Sequence, residues 1–171
     1  MALLQQLERR PIDWAAAAVA GFGAGAILMV LDLLWSIAIT GEGPWAASRM
    51  IAAIVMGPEV LESSEFSLSA VVVALLLHYA FGIVGGLVIA AISAPLGLDS
   101  KFGIALLTGA AFGVVLYVIN FHGMTTVFPW FTQIRGWTTF LINLIFGIST
   151  ALLYWKLERR GESEPVLQQA R

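Results

Sequence analysis

Four stretches of this chain are long and apolar enough to cross a lipid bilayer, and they restrict the fold more than any other feature. They run from Trp14 to Ile39, from Ser67 to Ala94, from Phe102 to Phe121 and from Gly136 to Trp155. About 20 apolar residues in a helix, rising about 1.5 Å each, cross a hydrocarbon core of about 30 Å. Lipid offers the backbone no hydrogen-bond partners, so each run must satisfy its own N–H and C=O groups as a helix. The expected fold is all-α: a four-helix transmembrane bundle, one integral membrane domain covering residues 1–171, with tails at 1–13 and 156–171. Breakers bound the runs: GEGPW after the first, Pro95 and Gly97 after the second, the charged KLERR after the fourth. The first run exceeds the roughly 7–15 residues of a signal-peptide core and contains Asp32, so it does not read as a cleaved leader.

Composition agrees. Only 12% of the 171 residues are charged, about half the share in soluble domains. The net charge of −2 gives no reason to expect a nucleic-acid partner. There is no cysteine, which excludes disulfides, thiolate metal sites and cysteine nucleophiles. Arg9, Arg10, Lys101, Lys156, Arg159, Arg160 and Arg171 fall on one side of the expected topology; only Arg49 and Arg135 fall on the other. The positive-inside rule then places both termini in the cytoplasm. Trp14 and Trp155 mark the inner interface, and Trp35, Trp45, Trp130 and Trp137 the outer one, as an aromatic belt requires.

The segment PWAASRMIAAIVMGPEV, residues 44–60, stands apart. Pro44 suits a helix start and Gly57-Pro58 a stop. The apolar part is too short to span. A short helix at about 44–56 is expected, either lying in the interface as a cap on the bundle, the favoured form, or dipping in as a re-entrant half-helix.

The chain also repeats itself. Gly21, Gly25 and Asp32 have the spacing of Gly109, Gly113 and Asn120. Pro44-Trp45 followed by Arg49 recurs as Pro129-Trp130 followed by Arg135. HYAFGIVGG from His78 aligns without gaps on NLIFGISTA from Asn143. The alignment pairs His78 with Asn143, Gly82 with Gly147 and Gly86 with Ala151. This pattern predicts a tandem duplication of a two-helix hairpin, related by an axis along the membrane normal. Small residues four apart let helices approach closely, so Gly21, Gly25, Gly82, Gly86, Gly109, Gly113, Gly147 and Ala151 are the expected packing positions.

At about 100° per residue, Asp32 falls about 20° from its glycine face, and Asn120 likewise. His78 and Asn143 fall about 40° from Gly82 and Gly147. Asp32, His78, Asn120 and Asn143 are therefore candidates for a polar layer in the outer half of the bundle, closed by loops carrying Arg49, Arg135 and His122. An Asp in a span costs roughly 2.5–3.5 kcal/mol on insertion scales and calls for a partner or a proton. His78 or an outer arginine is the expected partner of Asp32. The layer reads either as a ligand or proton-relay site or as hydrogen bonding that fixes helix register. His78 and His122 raise a metal or haem pair, but no metal-ligand spacing surrounds them. Ser63, Ser64 and Ser67 lack a nucleophile-elbow context and suit helix capping. The glycines at 21–25 lie mid-span and form no phosphate loop. No cofactor is implied, and nothing marks the chain as an enzyme.

The stretches RMIAAIVMG, LHYAFGIV and INFHGMTTVFPWFTQIRGWTTFLINLIFG resemble a family of small bacterial inner-membrane proteins with four spans, some automatically labelled sodium:proline symporter. More loosely, the chain is similar to the YagU-like inner-membrane proteins. The resemblance implies four spans and an inner-membrane location and carries no established activity. Sodium-coupled transporters use many more spans, with broken helices at the site, which four unbroken spans do not supply within one chain. Two classes of function follow. One is a small transporter, channel or ligand-binding membrane protein using the outer polar layer. The other is a structural or accessory subunit, in a homo-oligomer or a larger membrane complex.

Overall fold

A computed structural model describes residues 12–37 and 43–161, the last three as backbone alone. The described residues are helical, with no strand among them. Helix α1 spans Trp14–Trp35, α2 Ala46–Met56, α3 Leu68–Leu96, α4 Phe102–Val118 and α5 Trp137–Gly161. With the turns that continue α4 to Thr126, four helices are long and apolar enough to cross a membrane. The chain is a multi-pass integral membrane protein that contacts lipid, built as a four-helix bundle. Four crossings bring the start of α1 and the end of α5 to one end, here the terminal end; α2 and the α4–α5 connection lie at the opposite, loop end.

Local chemistry sets the helix ends. The Asp13 carboxylate caps α1 by accepting from the Ala16 N–H at 2.9 Å, which satisfies one of the donors a helix start leaves free. At its far end α1 widens into a π turn at Ser36–Ile37. The Ser36 hydroxyl donates to the Gly43 carbonyl at 2.6 Å, drawing the connection back. The expected end at Ile39 lies outside the described residues. Ser67 caps α3, its hydroxyl accepting from the Ala70 N–H at 3.4 Å. Pro95 stands in the last turn of α3, and Gly97, at φ 64°, supplies the left-handed residue that ends the helix.

Two ends differ from expectation. Helix α4 leaves α-geometry at Val118 and passes through a π turn at Ile119–Gly123, short of the expected Phe121. Helix α5 runs on to Gly161, past Trp155. The Lys, Leu, Glu and Arg residues there end the apolar run but are all good helix formers.

The core consists of close helix crossings. Gly21 and Gly25 of α1 lie against Gly82 and Gly86 of α3, backbone to backbone. Gly109 and Gly113 of α4 lie against Gly147 and Ala151 of α5 in the same way. A Cβ built at Gly113 would stand 2.5 Å from the Asn143 carbonyl oxygen. All eight expected packing positions are thus in the crossings. The partners also keep register: Gly21 meets Gly82 as Gly109 meets Gly147, and Gly25 meets Gly82 as Gly113 meets Gly147.

Helix α1 also packs on α5 and joins the two pairs, whereas α3 and α4, consecutive in the chain, touch little. A two-fold axis would make the α1–α5 contact recur between α4 and α3. The crossing therefore recurs, but the junction of the two hairpins is not symmetric. At the terminal end Ala16, Ala17 and Ala20 pack with Ala90 and Tyr154. At the loop end α2 sets Ala52 against Ala70 and Ala74, in the first two turns of α3. This is the packing of a cap on the end of α3.

Candidate functional site

Among the described residues the polar side chains of the spans make no hydrogen bond with one another. His78 Nε2 bonds the Gly25 carbonyl oxygen at 2.7 Å, so that nitrogen carries the hydrogen. The crossing makes this bond possible, because Gly25 and Gly82 bring α1 backbone within reach of an α3 side chain. Asn143, the aligned residue, turns instead to its own helix and donates to the Thr139 carbonyl at 2.8 Å. Asn120 is half-buried in the π turn after α4. His122 is exposed, its ring 5.7 Å from that of Tyr117.

Asp32 is half-buried in the last turn of α1. Among the described residues neither His78 nor an arginine pairs with it: His78 is engaged with Gly25, Arg49 with the Ser64 carbonyl and Arg135 with the Thr125 hydroxyl. The expected pairing of Asp32 with His78 or an outer arginine is thus not made among the described residues. A helical wheel gives direction but neither depth nor rotamer, and His78 and Asn143 have each bonded a backbone carbonyl. It follows that Asp32→Asn removes no ion pair. Its melting temperature in detergent is expected to match the parent, within the roughly 0.5 kcal/mol of an uncoupled substitution. A large drop would reveal an ionic partner for Asp32.

What the fold does assemble lies at the loop end. Ala46, Arg49 and Met50 of α2, Leu61 and Gln133 line a cavity of about 380 Å³. Two connections distant in sequence build it: one through the first turns of α2 and the 3₁₀ turn Pro58–Leu61, the other through the 3₁₀ stretch Pro129–Ile134. A tryptophan holds the last of these in place. The Trp130 indole N–H donates to the Met50 carbonyl at 3.1 Å, tying the α4–α5 connection to α2. Glycine ends α2 abruptly: Gly57, at φ 95°, turns the chain into the Pro58 segment, which brings Leu61 back toward the first turns of the helix.

Arg49 supplies the charge of this cleft. Among the described residues its guanidinium makes one hydrogen bond, from Nη1 to the Ser64 carbonyl at 3.4 Å. Glu59, Glu62 and Glu65 follow on the same connection, yet all three are exposed and none pairs with Arg49 among the described residues. Arg135, which also follows a Pro-Trp pair, is exposed and lies outside the cleft. Arg49 is thus the sequence candidate that the structure places in a cavity. Gln133 and Leu61 carried no sequence signal beyond their nearness to the Pro-Trp and Gly-Pro pairs.

A second cavity, about 290 Å³, lies between Tyr117, Gly136, Trp137 and Phe140. The Phe140 ring stands at 88° to Tyr117 and 90° to Trp137, in the edge-to-face arrangement aromatic pairs favour.

Another polar group, at the terminal end, had no sequence signal. Asp99 is 4% exposed and Tyr154 1% exposed; the Asp99 oxygens have no hydrogen-bond partner among the described residues, and the Tyr154 hydroxyl faces the Asp13 backbone. Asp13 and Glu158 lie within electrostatic reach of the same hydroxyl. Among the described residues no three His, Asp or Glu side chains are grouped to hold a metal ion. Comparison with models of known families, with curated proteins and with solved structures finds no match.

Proposed function

We propose that this protein is a ligand-binding protein of a bacterial inner membrane, taking up a small molecule in the cleft at its loop end. The cleft itself carries this reading: about 380 Å³ lined by a guanidinium, an amide and apolar side chains, the size and mixture of a small-molecule site. A channel is disfavoured by the crossings, where backbone meets backbone and fills the space between paired helices. The bacterial inner-membrane location rests on the resemblance of the FPWF stretch and its neighbours to small four-span proteins of that membrane. The orientation rests on charge. Seven of the nine Lys and Arg residues belong to the terminal end, so the termini face the cytoplasm and the cleft faces outward. The matched crossings support descent of both hairpins from one ancestral pair.

The absence of cysteine makes the test direct. Gln133→Cys should react with a membrane-impermeant maleimide on intact spheroplasts, whereas Lys156→Cys should react only after permeabilisation. The reverse pattern would overturn the orientation. A Gln133→Cys that stays unreactive in detergent would overturn an open cleft.

The accessory-subunit reading draws on one observation, the weak α3–α4 contact, which leaves that side of the bundle open to another helix. Mass analysis of the protein purified in mild detergent distinguishes the two: a stoichiometric membrane partner favours the subunit.

A further inference from the structure

We propose that the cleft recognises an oxyanion, a phosphate or carboxylate group, with Arg49 taking the charge and Gln133 donating a neutral hydrogen bond. This rests on the cleft being a ligand site and adds the class of ligand. The first argument is the state of Arg49. A guanidinium is a fork of donors suited to paired oxygens of carboxylate or phosphate. Among the described residues one N–H is used, in a long bond to the Ser64 carbonyl, and the rest of the fork meets no partner. Three carboxylates on the same connection leave it so: Glu59, Glu62 and Glu65 are exposed. A guanidinium needed only for stability would be expected to close on one of them.

The second argument is the company Arg49 keeps. Ala46, Met50 and Leu61 line the same cavity, and methionine adapts its shape to irregular apolar groups. One wall therefore suits a charged head and the other a hydrocarbon stem. The third is position. The cleft adjoins α2, which packs on the first turns of α3, and Trp45 and Phe66 pair edge to face nearby, with centroids 4.9 Å apart. Tryptophan favours the headgroup level of a bilayer, so an amphiphile in the adjoining leaflet could offer its head to Arg49 without leaving the membrane. Two sources share this chemistry, an anionic lipid headgroup and a soluble oxyanion.

The test uses the full chain in a mild neutral detergent, with binding read by native mass spectrometry and by thermal shift. The probes are phosphatidylglycerol, inorganic phosphate and octanoate, with phosphatidylcholine as a lipid of no net charge. Wild type is expected to bind at least one anionic probe in preference to phosphatidylcholine. Arg49→Gln should bind it at least about tenfold more weakly, the loss expected for a charge-assisted hydrogen bond. Gln133→Ala, in an exposed loop, should weaken it about threefold to tenfold, a neutral hydrogen bond. Arg135→Gln should bind as wild type does. Preference for phosphatidylglycerol over phosphate identifies a lipid, and the reverse identifies a solute; either supports the proposal.

Equal binding by wild type and by both cleft variants would overturn the proposal, as would failure of every anionic probe to bind wild type. The Gln133→Cys labelling separates this failure from that of the site reading. If the cysteine is reactive and protected by a neutral or cationic compound, the cleft is a ligand site and the oxyanion is wrong. If no compound of any charge protects it, both fail.

Discussion

Gly86→Val is expected to break the α1–α3 crossing and to cost about 3 kcal/mol or more, at or beyond the upper end of overpacking costs. Added atoms there would meet the Ala17 carbonyl oxygen and the backbone of Gly21. Backbone cannot rotate away as a side chain can, so the two helices must separate. Separation removes the dispersion contacts that drive helix association in lipid, where water contributes no hydrophobic force between helices. Gly82→Val and Gly147→Val should fall together, within about 1 kcal/mol of each other, less than the spread seen among core substitutions of one kind. The reason is that each opposes a glycine carbonyl of its partner helix, Gly21 and Gly109 respectively. Gly103→Ala is the control: nothing lies within 4 Å of its Cβ position, so the change should be neutral or stabilising by up to about 1 kcal/mol through helix propensity. Melting temperatures in one detergent, read beside size-exclusion profiles, decide the matter. If Gly86→Val melts with wild type, the helices are not in backbone contact. If Gly82→Val and Gly147→Val differ widely, the two crossings are not energetically equivalent.

The crossings were legible because their signal is local and periodic. Gly21 and Gly25, or Gly109 and Gly113, share a helix face at any depth, and only small residues allow such an approach. The number of spans was legible for a similar reason, since hydropathy follows from composition along one segment. Helix ends were less so. Polarity marks where the membrane stops, and helix propensity marks where the helix stops. At Trp155 the two separate, and α5 continues to Gly161. At Val118 they separate the other way, and an apolar chain enters a π turn. The cleft was hardest to see. Arg49, Leu61 and Gln133 are brought together by two connections, and the bond that fixes them joins Trp130 to Met50, 80 positions apart. No periodicity encodes such a meeting. The polar residues of the spans lie between these cases: their faces could be read, whereas their partners depended on which carbonyl came within reach.

That dependence sets the second large expected effect, at His78. Its bond to the Gly25 carbonyl is 2.7 Å long and joins two helices, whereas the Asn143 bond to Thr139 stays within one helix. His78→Leu should therefore destabilise by about 1–2 kcal/mol, the range for an interhelical hydrogen bond in model membrane peptides. Asn143→Leu should cost less than about 0.5 kcal/mol, because it leaves no interhelical partner stranded. His78→Gln keeps a donor of similar reach and should recover at least half of the loss. His78→Asn, which copies the aligned residue of the second hairpin, should behave like Leu if the shorter amide turns to its own helix as Asn143 does. Stability would be measured by reversible unfolding in mixed micelles, with the parent and all four variants in one detergent. Equal losses for His78→Leu and Asn143→Leu would show that the histidine bond adds nothing across the crossing. A His78→Leu as stable as wild type would leave close packing of the glycines as the whole attraction between α1 and α3.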